Sequence, residues 1–191
     1  MSRAFLRMIP LALVLVMALA PMAGAAGPAK MAAPVVSLDR IEVQNYFGFW
    51  HGTKEDPKDK GNCPLVLAFV FNVQNTNSLP VEMEELKFTY SFDGYDIATR
   101  SYTNTMWIPG GKTNQVRVIS AITTGTVVLN LAVTAGFKMK EKGDSAGELI
   151  KKWWTEIPDS SFPIEISNGT AQFNYEGGSV ISAFVGKFGG K

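Results

Sequence analysis

The chain is poor in the residues that most often carry chemistry. Among its 191 residues there is one histidine, His51, and one cysteine, Cys63. A single imidazole excludes a metal site built on two or more histidines. A single cysteine excludes a disulfide within the chain, so packing alone must hold the fold together. An excess of one charge is also missing: 18 basic residues stand against 17 acidic ones, a formal net charge of +1. That balance leaves no electrostatic footprint for nucleic acid. Charged residues make up only 18% of the chain and hydrophobic ones 46%, which excludes a disordered polar chain and supplies a core for one domain. The glycine pairs Gly110-Gly111 and Gly177-Gly178 are not followed by the Lys-Ser/Thr of a phosphate loop.

The first residues are read as a targeting segment. Arg3 and Arg7 form a positive start, Met8–Ala20 is apolar, and Ala23-Gly24-Ala25 offers a small-residue cleavage site. The apolar run is shorter than the roughly 20 residues of a comfortable membrane span. The expectation is a signal peptide over 1–25 and an exported protein, periplasmic or extracellular; if the leader is not cleaved, the protein is membrane-anchored. Removing 1–25 leaves 16 basic against 17 acidic residues. Residues 26–34 read as a small-residue linker. Cys63, far from the leader and next to Pro64, reads as a buried or half-buried free thiol.

From Val35 onward the pattern has period two. Val36 and Leu38 share one parity and Ile41 and Val43 the other, which predicts a bulge in the first strand. Residues 48–64 form a loop in which Lys54, Lys58 and Lys60 mix with Glu55, Asp56 and Asp59. The lysines make those acids poor calcium ligands. Leu65, Leu67, Phe69, Phe71 and Val73 mark a central strand, apolar on both faces where it begins. Leu86, Phe88, Tyr90 and Phe92 face inward on the next strand, and Asp93-Gly94 turns it into "YDIATRS". A turn at "PGGKTN" leads to the strand "QVRVISAIT". "TVVLNLAVTAGF" is expected to be a further strand after a turn at Thr124-Gly125. "FPIEIS" and "TAQFNY" are expected to flank a hairpin turn at Asn168-Gly169, and "SVISAFVGKF" closes the fold. The turn accounts for Asn168-Gly169-Thr170, which also matches a glycosylation sequon.

One stretch breaks the pattern. Ser145 and Glu148 have capping-box spacing, Leu149, Ile150, Trp153, Trp154 and Ile157 fall on one helical face, and Pro158 ends the run. The expectation is one short amphipathic helix, an insertion over 143–158. About eight strands plus this helix predict an all-β protein, an antiparallel β-sandwich over 35–188.

The stretch "FNVQNTNSLPVEMEELKFTYSFDG" resembles the signature of the late embryogenesis abundant type 2 family, also called the WHy (water stress and hypersensitive response) domain. Asn75-Thr76-Asn77 stands where the family has an Asn-Pro-Asn-like tripeptide, with Thr76 in place of Pro. Leu79-Pro80, Tyr90 and Gly94 match their places, and "WIPGGKTNQVRV" looks like the family's polar turn and following strand. The resemblance covers Val36 to Val133 and rests on the order of elements. It implies a sandwich related to immunoglobulin and fibronectin type III domains, and a non-enzymatic role in desiccation or other water stress.

No cofactor or metal is expected. A Ser-His-Asp triad would have to use His51 in the charged loop, and a Cys63–His51 pair has nothing to orient its base. Two aromatic groups stand out: Tyr46, Phe47, Phe49 and Trp50 at the mouth of the loop, and Trp153 and Trp154 on the helix. They are either core residues or a ring platform for a glycan or protein partner. Asn75, Asn77, Leu79, Pro80 and Gly94 read as a structural corner where a buried strand leaves its sheet. The expected partner is an envelope protein, a client protein or a membrane surface, with envelope adhesion or complex assembly as the alternative role.

Overall fold

Among the described residues, the period-two stretches between Val35 and Thr123 become strands. The structure, a computed structural model, describes residues 31–49 and 62–190; the leader, most of the linker, Trp50, His51 and the charges of the loop lie outside the described residues. In chain order the elements are β1 (Val35–Tyr46), β2 (Pro64–Gln74), β3 (Val81–Phe92), β4 (Tyr95–Tyr102), β5 (Met106–Ile108), β6 (Thr113–Thr123), α1 (Thr124–Thr134), α2 (Gly136–Lys142), α3 (Ala146–Glu156), β7 (Pro163–Tyr175) and β8 (Gly178–Gly189). One sheet has the order β1-β2-β6. The other runs β4-β3-β7-β8, with β5 pairing β3 at Val81–Met83, beside β4 on the same edge. Every pairing is antiparallel. The parity switch in β1 appears as register shifts between Leu38 and Arg40 and between Val43 and Asn45, which let both Val36 and Ile41 point inward.

The two sheets meet through rings. Phe69 of β2 packs on Phe88 and Tyr90 of β3 with centroids 5.0 and 4.8 Å away, and Phe71 reaches Phe88 at 4.9 Å and Phe184 of β8 at 5.3 Å. The chain of rings continues through Phe92 to Phe162 at 5.1 Å and Trp153 of α3 at 5.5 Å. Burying each such side chain stabilises the fold by roughly 1.5–3 kcal/mol, before entropy is set against it. One polar link crosses the layer: the Tyr90 hydroxyl and Ser120 Oγ lie 2.8 Å apart, and Arg100 Nε donates to the same oxygen at 2.9 Å. Burial raises the Tyr90 pKa, against the opposing pull of the Ser120 bond and the Arg100 charge.

Two expectations need correction. "TVVLNLAVTAGF" is helix, not strand. Its valines and threonines suit a strand by propensity, but Thr123 and Thr126 form a reciprocal capping box that starts α1. Asn62 Oδ1 accepts from Gly125 N at 3.1 Å, and Asn130 Nδ2 donates to Asp96 O and Ile97 O at 2.7 and 3.1 Å, tying the helix to β4. Val127, Leu131 and Ala135 are buried at four-residue spacing. The second correction is at Asn168-Gly169, which is a bulge within the continuous strand β7 and not a hairpin turn. Asn168 has φ 51°, and the register slips against both β3 and β8 there. Glycine is required because a Cβ at 169 would lie 2.4 Å from Phe184 O. The reversal from β7 to β8 comes later, where Gly177 has φ 104°. In place of one helix there are three α-helices among the described residues; the expected one, α3, has Ser145 as its N-cap, accepting from Glu148 N.

At the end of the sandwich away from the helices, the corner is organised by Asn75. It is fully buried. Its Nδ2 donates to Leu79 O at 2.8 Å and Ile108 O at 3.1 Å, and its Oδ1 accepts from Asn77 N and Asn77 Nδ2 at 3.0 and 2.9 Å. Asn77 in turn exchanges bonds with the backbone of Ala32, both at 2.9 Å. Gly110 fits against this loop because a Cβ there would meet Ser78 O at 2.2 Å. Leu79 and Pro80 are exposed, and Gly94, at φ 77°, serves the β3–β4 hairpin at the far end. Asn75→Ala removes these four bonds and a longer one from Nδ2 to Pro109 O at 3.4 Å, and takes a donor from the buried carbonyl of Ile108, so it is expected to lower unfolding free energy by about 2–3 kcal/mol. Urea unfolding checks this; an unchanged midpoint would show that the corner does not depend on the amide.

Candidate functional site

The opposite end of the sandwich gathers the groups that could act on another molecule. Register places Tyr46 beside Leu65 and Pro64 beside Thr123, so the loop mouth, the start of α1 and the β3–β4 turn share this end. The three helices cap it. Here the two aromatic groups separate. Trp153 and Trp154 are fully buried and offer no surface. The Tyr46 hydroxyl donates to Trp154 O. Tyr46 and Phe49 are half-buried against the core, while Phe47 is 60% exposed; Trp50 lies outside the described residues. Trp154 Nε1 is the one buried side-chain donor without a partner among the described residues.

Between the hairpin and α3 lies an open cleft of about 380 Å³. Asp93 Oδ2 accepts from Lys152 Nζ and Trp153 Nε1, each at 2.8 Å, so a single carboxylate fixes α3 on the turn. The Lys152 hydrogen bond to Asp93 raises the lysine's pKa and keeps it charged. Tyr95 donates to Asp144 Oδ2 at 2.6 Å. Burial, first, and then the Asp144 bond and the Asp144 and Asp93 charges push the Tyr95 pKa up to about 12, so the phenol stays protonated. Lys138 and Lys142 lie 4.9 and 5.2 Å from the Tyr95 ring centroid, and Lys138 Nζ also donates to Gly94 O at 2.5 Å. Opposite charges are thus matched across the joint, which suits docking of the cap onto the hairpin better than proton transfer.

No nucleophile elbow is expected from the sequence, yet Gly143-Asp144-Ser145-Ala146-Gly147 has its spacing. Its context differs from that motif: the serine follows a helix and not a strand. Ser145 Oγ accepts from Glu148 N at 3.3 Å and lies 3.0 Å from Glu148 Oε2, to which its hydroxyl donates. That geometry is a helix cap. Among the described residues no cluster of three His, Cys, Asp or Glu side chains could hold a metal. Cys63 is buried, its backbone bonded to Thr124.

The feature least visible in the sequence is the outer face of α1 and α2. Leu129, Val133 and Phe137 are 69%, 85% and 95% exposed, and Val128 41%. No charged residue occurs from Thr124 to Phe137. Read as a strand, Leu129, Val133 and Phe137 fall on one face and suggest core; in the helices Leu129 and Val133 lie on the side of α1 opposite buried Val127 and Leu131. No helix among the described residues is long and apolar enough to cross a membrane.

The Tyr95 joint has a pH signature. A tyrosine whose pKa is higher folded than unfolded adds stability that is complete below about pH 10, the unfolded value, and is lost as pH rises towards about 12. Wild type is therefore expected to lose stability more steeply than Tyr95→Phe between about pH 10 and 12 in urea melts. Parallel curves would show that the phenol is not held protonated by the fold.

No family model and no curated protein matches this sequence. Among solved structures it is similar to a protein from Archaeoglobus fulgidus, at 11% identity and a TM-score of 0.41, over 81% of this chain and 98% of that one. It is similar at 10% identity and a TM-score of 0.39 to the putative ApaA protein from Bordetella pertussis, over 83% and 94%. A protein from Arabidopsis thaliana solved in solution matches at 9% identity and a TM-score of 0.41, over 85% and 87%. Likeness this distant leaves function to the chain's own residues.

Proposed function

We propose that this is an exported, non-enzymatic β-sandwich of the LEA type 2/WHy kind, acting in desiccation or osmotic stress by binding another surface through its helical cap. The observation that carries the reading is the exposed, uncharged stripe Leu129–Val133–Phe137. Apolar side chains this open on a water-soluble module mark a contact surface. The Asn75–Pro80 corner supports the family, because that stretch is part of the resemblance and Asn75 bonds five groups there. A second reading, an envelope adhesion or assembly module taking a protein or glycan, is favoured by exposed Phe47 at the same end.

Two outcomes test the proposal. Ser145 is committed to capping, so the full chain is expected to resist labelling by a fluorophosphonate probe; stoichiometric labelling lost in Ser145→Ala would make it a hydrolase. A deletion strain is expected to survive drying or osmotic upshift less well than its parent and to recover with the wild-type gene. Unimpaired survival would remove the stress role and leave the adhesion reading, for which a stable partner in native envelope extracts is the readout.

A further inference from the structure

We infer that the outer face of α1 and α2 docks on an anionic lipid surface, with Leu129, Val133 and Phe137 entering the headgroup–acyl boundary. This inference names the partner of the binding surface proposed above and rests on that reading.

The argument begins with α1 itself. Its inner side is used up: Val127, Leu131 and Ala135 pack on the sandwich. The outer side then carries Leu129 and Val133, four residues apart, and Phe137 follows at the same spacing at the start of α2. At 95% exposure Phe137 makes almost no contact with its own protein. An isolated apolar side chain on a surface needs no explanation, but three this exposed within nine residues do.

Charge decides between occupants. Across α1 and α2 there are three lysines, Lys138, Lys140 and Lys142, and one acid, Glu141. The basic residues follow directly after Phe137, and Lys140 lies one turn beyond it. Apolar side chains bordered by lysines are what an interfacial helix presents to anionic headgroups. Lys138 and Lys142 rest over the Tyr95 ring on the hairpin side, Lys140 is not drawn to that ring, and all three lysines remain exposed. A second copy of the chain is a poorer fit. A two-fold contact sets the same surface against itself, and across α1 and α2 it offers a single acid, Glu141, to meet three lysines.

The test must read this face and ignore any lipid affinity of residues 1–25. In the full chain, Cys63→Ala removes the native thiol and Val133→Cys takes an environment-sensitive fluorophore. With phosphatidylglycerol vesicles a blue shift is expected that high salt reverses, and phosphatidylcholine vesicles should give at least tenfold less. Lys140→Glu should raise the half-maximal lipid concentration at least fivefold, and Leu129→Ser with Phe137→Ser should abolish the shift while leaving the melting temperature within a few degrees. If Cys63→Ala does not fold, the label is replaced by hydrogen exchange of α1 amides in the wild-type chain, expected to slow on the same vesicles. No change at position 133 while the protein floats with vesicles overturns the inference and assigns the affinity to residues elsewhere. An equal response to both lipids also overturns it. A blue shift that grows with protein concentration without lipid overturns it in favour of self-association, yet leaves the face a binding surface. If the label senses neither lipid nor a second copy, and native extracts yield no partner lost on Leu129→Ser with Phe137→Ser, the binding reading falls as well.

Discussion

Phe92 is the ring on which the two halves of the molecule meet. On one side it continues the inter-sheet column through Tyr90, 5.7 Å away; on the other it touches Phe162 and Trp153. With no disulfide available, ring packing must both hold the sheets and seat the helices. The sandwich end can accept a helical cap because the column does not stop at the last strand pair. Tyr95 extends it at 6.1 Å from Trp153, and its hydroxyl passes the contact to Asp144. The polar bonds of the joint, Asp93 to Lys152 and Trp153, work on top of that apolar seat.

The two ends of the sandwich solve the same problem differently. Each must satisfy backbone groups where strands leave their ladders. At the corner, one buried amide does it: Asn75 donates to three carbonyls, and its oxygen accepts from Asn77. At the cap, the solution is helix: Thr123 and Ser145 start two of the three helices with side-chain caps. Closing the end uses one side of α1, where Val127, Leu131 and Ala135 are buried, and leaves Leu129 and Val133 turned outward. The surface proposed for binding is thus a consequence of how the end is closed.

Much of this was legible in the residues. Alternation in β1 to β4, the bulge in β1, the Asp93-Gly94 turn and the Ser145 cap are local signals, and local signals read correctly where one face is buried and one is not. The two errors have a common cause. "TVVLNLAVTAGF" and "FPIEIS…TAQFNY" each contain residues whose local preference points one way while a distant contact points the other. For α1 the deciding partners are Asn62 and the carbonyls of Asp96 and Ile97, far off in sequence. For Asn168-Gly169 it is the close approach of Phe184. The exposed stripe stayed hidden because recognising it depends on the element type: the same Leu129 and Val133 read as a strand suggest core. The nucleophile-elbow spacing at Ser145 was missed for the opposite reason, since only the structure distinguishes a serine that caps a helix from one that attacks.

The central claim is that the sandwich is a fixed platform and the helical cap is its contact surface. Hydrogen–deuterium exchange on the full chain, alone and with phosphatidylglycerol vesicles, addresses it residue by residue. The account predicts slowed exchange confined to Thr124–Lys142, with amides of β2 and β3 protected equally in both states. Protection appearing instead at the Asn75 corner or along β8, with Thr124–Lys142 unchanged, would contradict it.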